Sequence, residues 1–248
     1  TEDRHKKWAG SKDIWIQGTL NYGFADDYNP IAAIDTINGW VKLGKPHLYG
    51  VASGKDFQEY VAINILEELD EPGEWYLERT TGILYFWPPA KIKNAKINVS
   101  VLEDPIISFE GVSYLQIRNV TVEAGRGIGI YIENSHHTLI AGCTVRNVGT
   151  SGIFMGQGAK LLDENSSVDD YAGVPQSRQI GSYQNHIYNN TAWNRNAGHH
   201  NGIQSCDIYN TGSGGISLSG GDKRTLENGY SYVENCRIFN YTRRNKFT

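Results

Sequence analysis

Two pairs of adjacent histidines form the sharpest chemical pattern in this chain of 248 residues. His136-His137 and His199-His200 are separated by an offset of 63 residues, so both pairs fall at one position of any repeat with that spacing. Four imidazoles at one place could bind a metal ion, transfer protons or stack against sugar rings. The alternative is that they are turn residues that pack against one another. Spacing alone supplies no carboxylate and no third convergent ligand, so we predict no metal site and no cofactor.

A glycine-rich turn contains the acidic residue with the most unusual neighbours. In the segment Gly220-Gly-Asp-Lys-Arg224 a carboxylate stands beside two cations. Asp222 is therefore the one candidate for a catalytic acid or base, and Asp222 and Arg224 are candidates for contacts with a polar ligand. The alternative is that Asp222 is an ordinary solvated turn residue. Asp207 and Glu234 are predicted to be surface residues.

The histidine offset belongs to a longer internal repeat. Cys143 and Cys206, Asn147 and Asn210, and the glycines and isoleucines that follow them all recur with the same offset of 63. Weaker copies begin 23 residues before the first cysteine, at Val120, and 30 residues after the second. The basic period is therefore about 23 residues, and each period contains short alternating apolar runs that are broken by Gly and Asn.

Strands of two to four residues at this period predict the stacked coils of a right-handed parallel β-helix. Residues at equal positions of successive coils then become vertical neighbours, roughly 4.8 Å apart. We predict that the cysteines stack as buried thiols and that the asparagines form an amide ladder. The offset of 63 leaves some 40 residues over, so 159–198 is predicted to loop out beside the histidines. Trp193 in that loop, with His137 and His200, is predicted to bind substrate.

The region before the repeat has a different texture. Residues 1–55 contain short β-like segments separated by Gly, Asn and Pro, which predicts a small all-β module. Residues 56–90 are predicted to contain a short helix capped by Asn64 and a β-hairpin that leads into the solenoid. The coils themselves are assigned to residues 91–248.

Composition narrows the classes of function. The formal net charge is −4, with 39% hydrophobic and 20% charged residues. This balance argues against nucleic acid as a partner, and no apolar run approaches the length of a membrane span. We expect a monomer. Because the chain opens at Thr1 without methionine, we expect that both ends are truncated and that a secretion signal preceded it.

The stretch from Asn64 to Glu78, continued by Thr81-Gly-Ile-Leu-Tyr-Phe-Trp-Pro-Pro89, resembles the segment that enters the solenoid in large secreted bacterial β-helix proteins. These are the glycoside hydrolases of family 141 and their uncharacterised relatives, and Gly220 to Leu226 is similar to a further turn of that family. The resemblance covers about residues 8–248. It implies a pectin-lyase-like parallel β-helix preceded by a small β-barrel-like module.

The resemblance also implies a function. The expected activity is hydrolysis of an oligo- or polysaccharide by paired carboxylates, in a protein that lies outside the cytoplasm. A polysaccharide lyase on the same architecture and a non-catalytic glycan-binding adhesin remain alternatives. In the family the proposed catalytic acids fall beyond the position of Thr248. We therefore expect this chain alone to be catalytically silent.

Overall fold

The computed structural model describes residues 4–21, 26–47, 50–52, 59–155, 198–221 and 225–243. The chain divides into two compact units, residues 1–97 and 98–246. Almost all of the regular secondary structure in the described residues of each unit is β-strand, which confirms the predicted all-β class. Within these described ranges no helix is long and apolar enough to cross a membrane.

The first unit contains a four-stranded antiparallel sheet in the order β3-β2-β1-β4. Its central strand β1 pairs with β2 through Trp15 and Pro30 and with β4 through Trp15 and Ile63. The described strands form an open row with β3 and β4 at its edges, so this part of the structure does not show the closed barrel that the resemblance implied. Short helical turns flank the sheet. The elements are β1 Trp15–Thr19, β2 Asp26–Asp35, β3 Trp40–Leu43, β4 Glu59–Ile63, α1 Arg4–Lys7 and 3-10 turns at Trp8–Gly10 and Leu66–Glu68.

The predicted hairpin is confirmed as β5 (Trp75–Glu78) paired antiparallel with β6 (Ile83–Phe86). The predicted helix cap at Asn64 is wrong. Asn64 adopts φ +62 and precedes only the short 3-10 turn. Its amide donates to the Asp13 carbonyl and its Oδ1 accepts the Leu77 N–H at 3.1 Å. The side chain therefore bonds to residues distant in the sequence and does not cap a helix.

The second unit contains three four-stranded parallel sheets. Successive turns of the chain contribute one strand to each sheet, always in the same order. A fourth, two-stranded sheet lies between the first and the second. The first sheet contains β7 Ile107–Glu110, β10 Ile130–Glu133, β14 Ile153–Met155 and β18 Ile216–Ser217; the small one β11 Ser135–His136 and β15 Gly198–His199; the second β8 Gln116–Arg118, β12 Leu139–Ala141, β16 Gly202–Gln204 and β19 Tyr232–Glu234; the third β9 Thr121–Glu123, β13 Thr144–Val148, β17 Asp207–Thr211 and β20 Arg237–Phe239.

Strand register confirms the predicted repeat. Ile107, Ile130 and Ile153 are successive partners 23 residues apart, and Ile153 pairs with Ile216 at the offset of 63. The coil therefore leaves the first sheet after Met155 and resumes at Gly198. Residues 156–197, which contain the predicted loop and Trp193, lie outside the described residues.

The predicted cysteine stack is confirmed by the register of the third sheet, which aligns Val120, Cys143, Cys206 and Cys236. The Cys143 N–H donates to the Cys206 sulfur and the Cys206 N–H to the Cys236 sulfur, both at 3.4 Å. Cys206 is fully buried, and this burial raises the pKa of its thiol to about 11. All three cysteines are free thiols.

Bends between the sheets are made by single residues with left-handed backbone, which explains why Asn and Gly recur at fixed positions. Asn147 and Asn210 both have φ 53, and the Asn210 amide donates to Asn147 Oδ1 at 3.2 Å, as the predicted ladder requires. The inward side chains between the bends form one continuous apolar core along the stack. Its fully buried members include Ile130, Ile132, Ile140, Val145, Ile153, Met155, Ile203 and Ile208.

Candidate functional site

The two histidine pairs lie on one bend of the solenoid, between the small sheet and the second sheet. Strands β11 and β15 pair in register, with Ser135 opposite Gly198 and His136 opposite His199. The next residues, His137 and His200, make the bend with φ 54 and 56. Histidine is one of the few residues that often adopt this backbone conformation. We call the four residues His136, His137, His199 and His200 the histidine corner.

The same bend in the neighbouring coils is occupied by tyrosines. Tyr114, His137, His200 and Tyr230 form a stack of four rings in which every successive pair of ring centroids is 4.8 Å apart. The rings of His137 and His200 are nearly parallel, with 3° between their planes, and both residues are exposed. Their predicted contact is therefore confirmed. The tyrosines at the two ends are 78% and 63% exposed, so the stack presents a ridge of ring edges to solvent.

Behind this ring stack a buried asparagine fixes the backbone of both coils. Asn201 Oδ1 accepts the Thr138 hydroxyl at 2.8 Å and the Thr138 N–H at 3.2 Å, and its amide donates to the Ser135 carbonyl at 2.8 Å. Asn201 is fully buried, so these bonds are shielded from water. Asn201 follows His200 and Thr138 follows His137, so the network holds the two ring-bearing bends together.

Gly198 allows the two coils to approach at the start of the corner. Its φ is +88, and a Cβ added there would lie 2.0 Å from the Ser135 carbonyl oxygen. Only glycine fits this position, and His199 is placed over His136 as a result. Their rings stack with centroids 4.3 Å apart.

A third imidazole converges on the ring stack. The His199 ring is perpendicular to both stacked histidines, at 88° to His137 and 87° to His200. Its Nδ1 lies 2.9 Å from His200 Nδ1. One ring nitrogen from each of the three residues lies within 4.8 Å of the others. The sequence spacing gave no third ligand, whereas the structure supplies one.

A pair of carboxylates lies one strand earlier in the coil. Glu110 and Glu133 end strands β7 and β10 and are direct register partners. The Ser108 hydroxyl donates to Glu110 and the Tyr131 hydroxyl to Glu133, each at 2.6 Å. Glu110 is exposed, whereas Glu133 is 3% exposed. The sequence analysis missed this pair, although Ile107-Ser-Phe-Glu110 and Ile130-Tyr-Ile-Glu133 repeat at the offset of 23 that it had identified.

The acid pair and the histidine corner belong to one edge of the solenoid. Only Asn134 and Ser135 separate Glu133 from His136, so their Cα atoms are at most about 10 Å apart. Carboxylates and imidazoles within that range can take part in one proton-transfer reaction when a substrate lies between them.

Three other acids of the solenoid have a structural role, because each is paired with an arginine of the next coil. Arg237 donates to Asp207 at 2.7 Å, and this hydrogen bond lowers the pKa of the carboxyl. Arg146 joins Glu123 at 2.6 Å to the Tyr209 hydroxyl at 3.0 Å. Arg126 pairs in the same way with Glu103. Glu110 and Glu133 differ from these three acids in that each has another acid as a register partner.

Three of the predicted binding residues lie outside the described part of the chain. They are Trp193 in the predicted loop and Asp222 and Arg224 in the glycine-rich turn. Their contacts with a ligand and the catalytic role of Asp222 stay predictions.

Comparison with known proteins supports the architecture. Residues 105–245, more than half of the chain, match the family model for the right-handed β-helix region. The chain therefore belongs to the right-handed β-helix family, in agreement with the predicted parallel β-helix. Searches of curated proteins and of solved structures gave no significant match.

Proposed function

We propose that this chain is part of a bacterial polysaccharide-degrading protein that acts outside the cytoplasm, and that its reaction is glycoside hydrolysis. The observation that carries the proposal is the in-register pair of Glu110 and Glu133 on neighbouring coils. The β-helix family and the resemblance to glycoside hydrolases of family 141 support it.

Hydrolysis of a glycosidic bond requires two carboxyl groups across the bond. One donates a proton to the leaving oxygen, and the other attacks the anomeric carbon or activates water. Register partners on adjacent parallel strands have Cα atoms roughly 4.8 Å apart. The side chains of register partners project from the same face of the sheet, so the two carboxyl groups are neighbours.

The ring stack gives this site a neighbouring surface for sugar. Tyr114 and Tyr230 each combine an exposed apolar ring with a hydroxyl that can bond to sugar. The stack runs along the solenoid axis, so an extended glycan laid along it would cross several coils.

The test is an assay of the full chain on a panel of plant and host glycans, with release of reducing ends as the readout. We expect turnover that falls at least about 100-fold in Glu110→Gln and in Glu133→Gln, because each variant keeps the shape and loses the acid. Glu234→Gln, a change at an exposed acid that contacts Gln204 at 3.4 Å, is the matched control and should retain activity. A chain that is silent on every glycan, as the sequence led us to expect, would contradict the proposed catalytic pair.

The same assay separates the alternatives. The histidine corner favours a lyase as the second candidate, because elimination from a uronate needs a base such as histidine. Products with an unsaturated ring, formed only from substrates with uronic acid, would identify that reaction. Glycan binding without turnover, lost on replacement of Tyr114, would instead identify a non-catalytic binding protein.

A further inference from the structure

We propose that His137, His199 and His200 form a binding site for a divalent transition-metal ion, and that zinc is the ion these donors fit best. The proposal is independent of glycoside hydrolysis, since it depends only on the histidine corner. Failure of the glycan assay would leave it unaffected.

The convergence of the three rings is the first argument. His137 and His200 are parallel, and the His199 ring points edge-on towards both of them. A tetrahedral zinc ion with Zn–N bonds of about 2.0–2.1 Å places its ligand atoms about 3.3 Å apart. The two Nδ1 atoms of His199 and His200, at 2.9 Å, already lie near that separation. The His137 nitrogen lies within 4.8 Å of them on an exposed bend. Because the His137 ring is parallel to that of His200 and an imidazole nitrogen binds a metal in the plane of its ring, binding requires the His137 ring to rotate out of the stack.

The contact between His199 and His200 provides the second argument. Two Nδ1 atoms 2.9 Å apart can form a hydrogen bond only if one is protonated and the other is bare. A metal ion can bridge the same two nitrogens when each ring carries its proton on Nε2 instead, so binding replaces the hydrogen bond between the rings.

The surroundings keep the three rings close together. Tyr114 stacks on His137 and Tyr230 on His200, so each exposed imidazole lies between two other rings. His136 stacks on His199 on the other side of the corner.

The chemistry of the donors decides which metals fit. Three neutral imidazoles suit zinc, copper and nickel, whereas calcium and magnesium prefer oxygen ligands. The cluster contains no thiolate, because Cys143, Cys206 and Cys236 stack at a different position of the coil. Three histidines with a fourth position open are also the ligand set of one class of zinc enzymes.

The experiment is a calorimetric titration of Zn²⁺ into the full chain, prepared without a polyhistidine tag and treated with a chelator. We expect one ion per chain, with affinity at least about tenfold weaker in His200→Gln and in His199→Gln. Titration with Co²⁺ gives a second readout, because a tetrahedral nitrogen site produces intense visible absorption. Both signals should weaken as the pH falls, since protons compete for the same nitrogens.

His47→Gln is the control, because it removes a histidine of the other unit, whose ring Nε2 lies 3.0 Å from the Gly18 carbonyl oxygen. It should bind zinc like the unchanged chain, and circular dichroism should show that every variant is folded. If His200→Gln fails to fold, His137→Gln provides the same test. Equal affinities in all variants, or several weak ions per chain, would show adventitious surface binding and overturn the proposal. A loss in His47→Gln as large as that in His200→Gln would overturn the assignment to these three residues.

Discussion

Replacement of Asn201 by alanine should destabilise the solenoid around the histidine corner much more than any neighbouring single change. The variant removes three hydrogen bonds at once, two from Thr138 and one to the Ser135 carbonyl. These partner groups lose bonds in a part of the solenoid that is closed to water, since Asn201 is fully buried and Thr138 is only 2% exposed. A buried polar group that loses its partner costs roughly 1–3 kcal/mol.

We expect a total of about 3 kcal/mol, towards the lower end of the summed range, because a water molecule can enter the space left by the amide. Thr138→Val is the graded control. It keeps the shape of the side chain and removes only the hydroxyl donor, so it should cost about 1 kcal/mol. The ratio between the two variants is therefore the quantity that tests the network.

Hydrogen exchange followed by mass spectrometry is the suitable assay, because it reports each coil separately. Five of the six tryptophans precede residue 98, so tryptophan fluorescence reports mainly on the other unit. Amides of β12 and β16 should exchange about 150-fold faster in Asn201→Ala and about fivefold faster in Thr138→Val, from the free energies above. Strands β1 and β2 should be unchanged. Equal exchange in the two variants would refute the assignment of Asn201 as the residue that joins the coils.

Two further predictions concern the backbone and the thiols. Gly198→Ala should open the β11–β15 pair and weaken zinc binding, because the added Cβ would overlap the Ser135 carbonyl oxygen. Gly214→Ala is the control and should be tolerated, because no atom lies within 4 Å of its added Cβ. Equal effects of the two variants on hydrogen exchange would contradict this prediction. Cys206 has a folded pKa of about 11 against an ordinary value of 9.0, so its folded thiol keeps a proton that the unfolded thiol loses. The contribution of this thiol to the free energy of unfolding should therefore be fully present below pH 9 and should fall by about 2–3 kcal/mol as the pH rises towards 11. Urea unfolding at each pH measures this fall, which should be absent in Cys206→Ala.

The architecture of the solenoid could be predicted because stacking converts a sequence offset directly into a contact. Cysteines at equal positions of the repeat became neighbours in the structure, and the same holds for Asn147 and Asn210. The contact of His137 with His200 follows from the same rule. In each case both partners are of the same residue type, so the pairing can be recognised without knowing the direction of either side chain.

Contacts across a bend could not be predicted in this way. Adjacent residues of a strand point to opposite sides, so His199 and His200 would be expected to diverge. The left-handed backbone at His200 turns its ring back towards His199, and that conformation is not visible in the spacing. Asn64 failed for a related reason, since its partners Asp13 and Leu77 are distant in the sequence.

The acid pair is the feature that a purely structural account explains least well. Parallel stacking places like over like, which is harmless for isoleucine but unfavourable for carboxylates, since like charges opposite each other destabilise a sheet. The described solenoid avoids this at Asp207, Glu123 and Glu103, each of which meets an arginine of the next coil. Glu110 instead has another carboxylate, Glu133, as its register partner.

A pair kept for catalysis should therefore cost stability. Glu110→Gln removes one of the two charges and retains an oxygen that can accept the Ser108 hydroxyl, so it should stabilise the solenoid by about 0.2–1 kcal/mol while it abolishes turnover. Opposite changes in stability and activity distinguish a catalytic pair from a structural one, because loss of a structural contact lowers both. A Glu110→Gln chain that is less stable than the original would show that the carboxylates stack for the fold, and the catalytic acids would then have to be sought elsewhere in the protein.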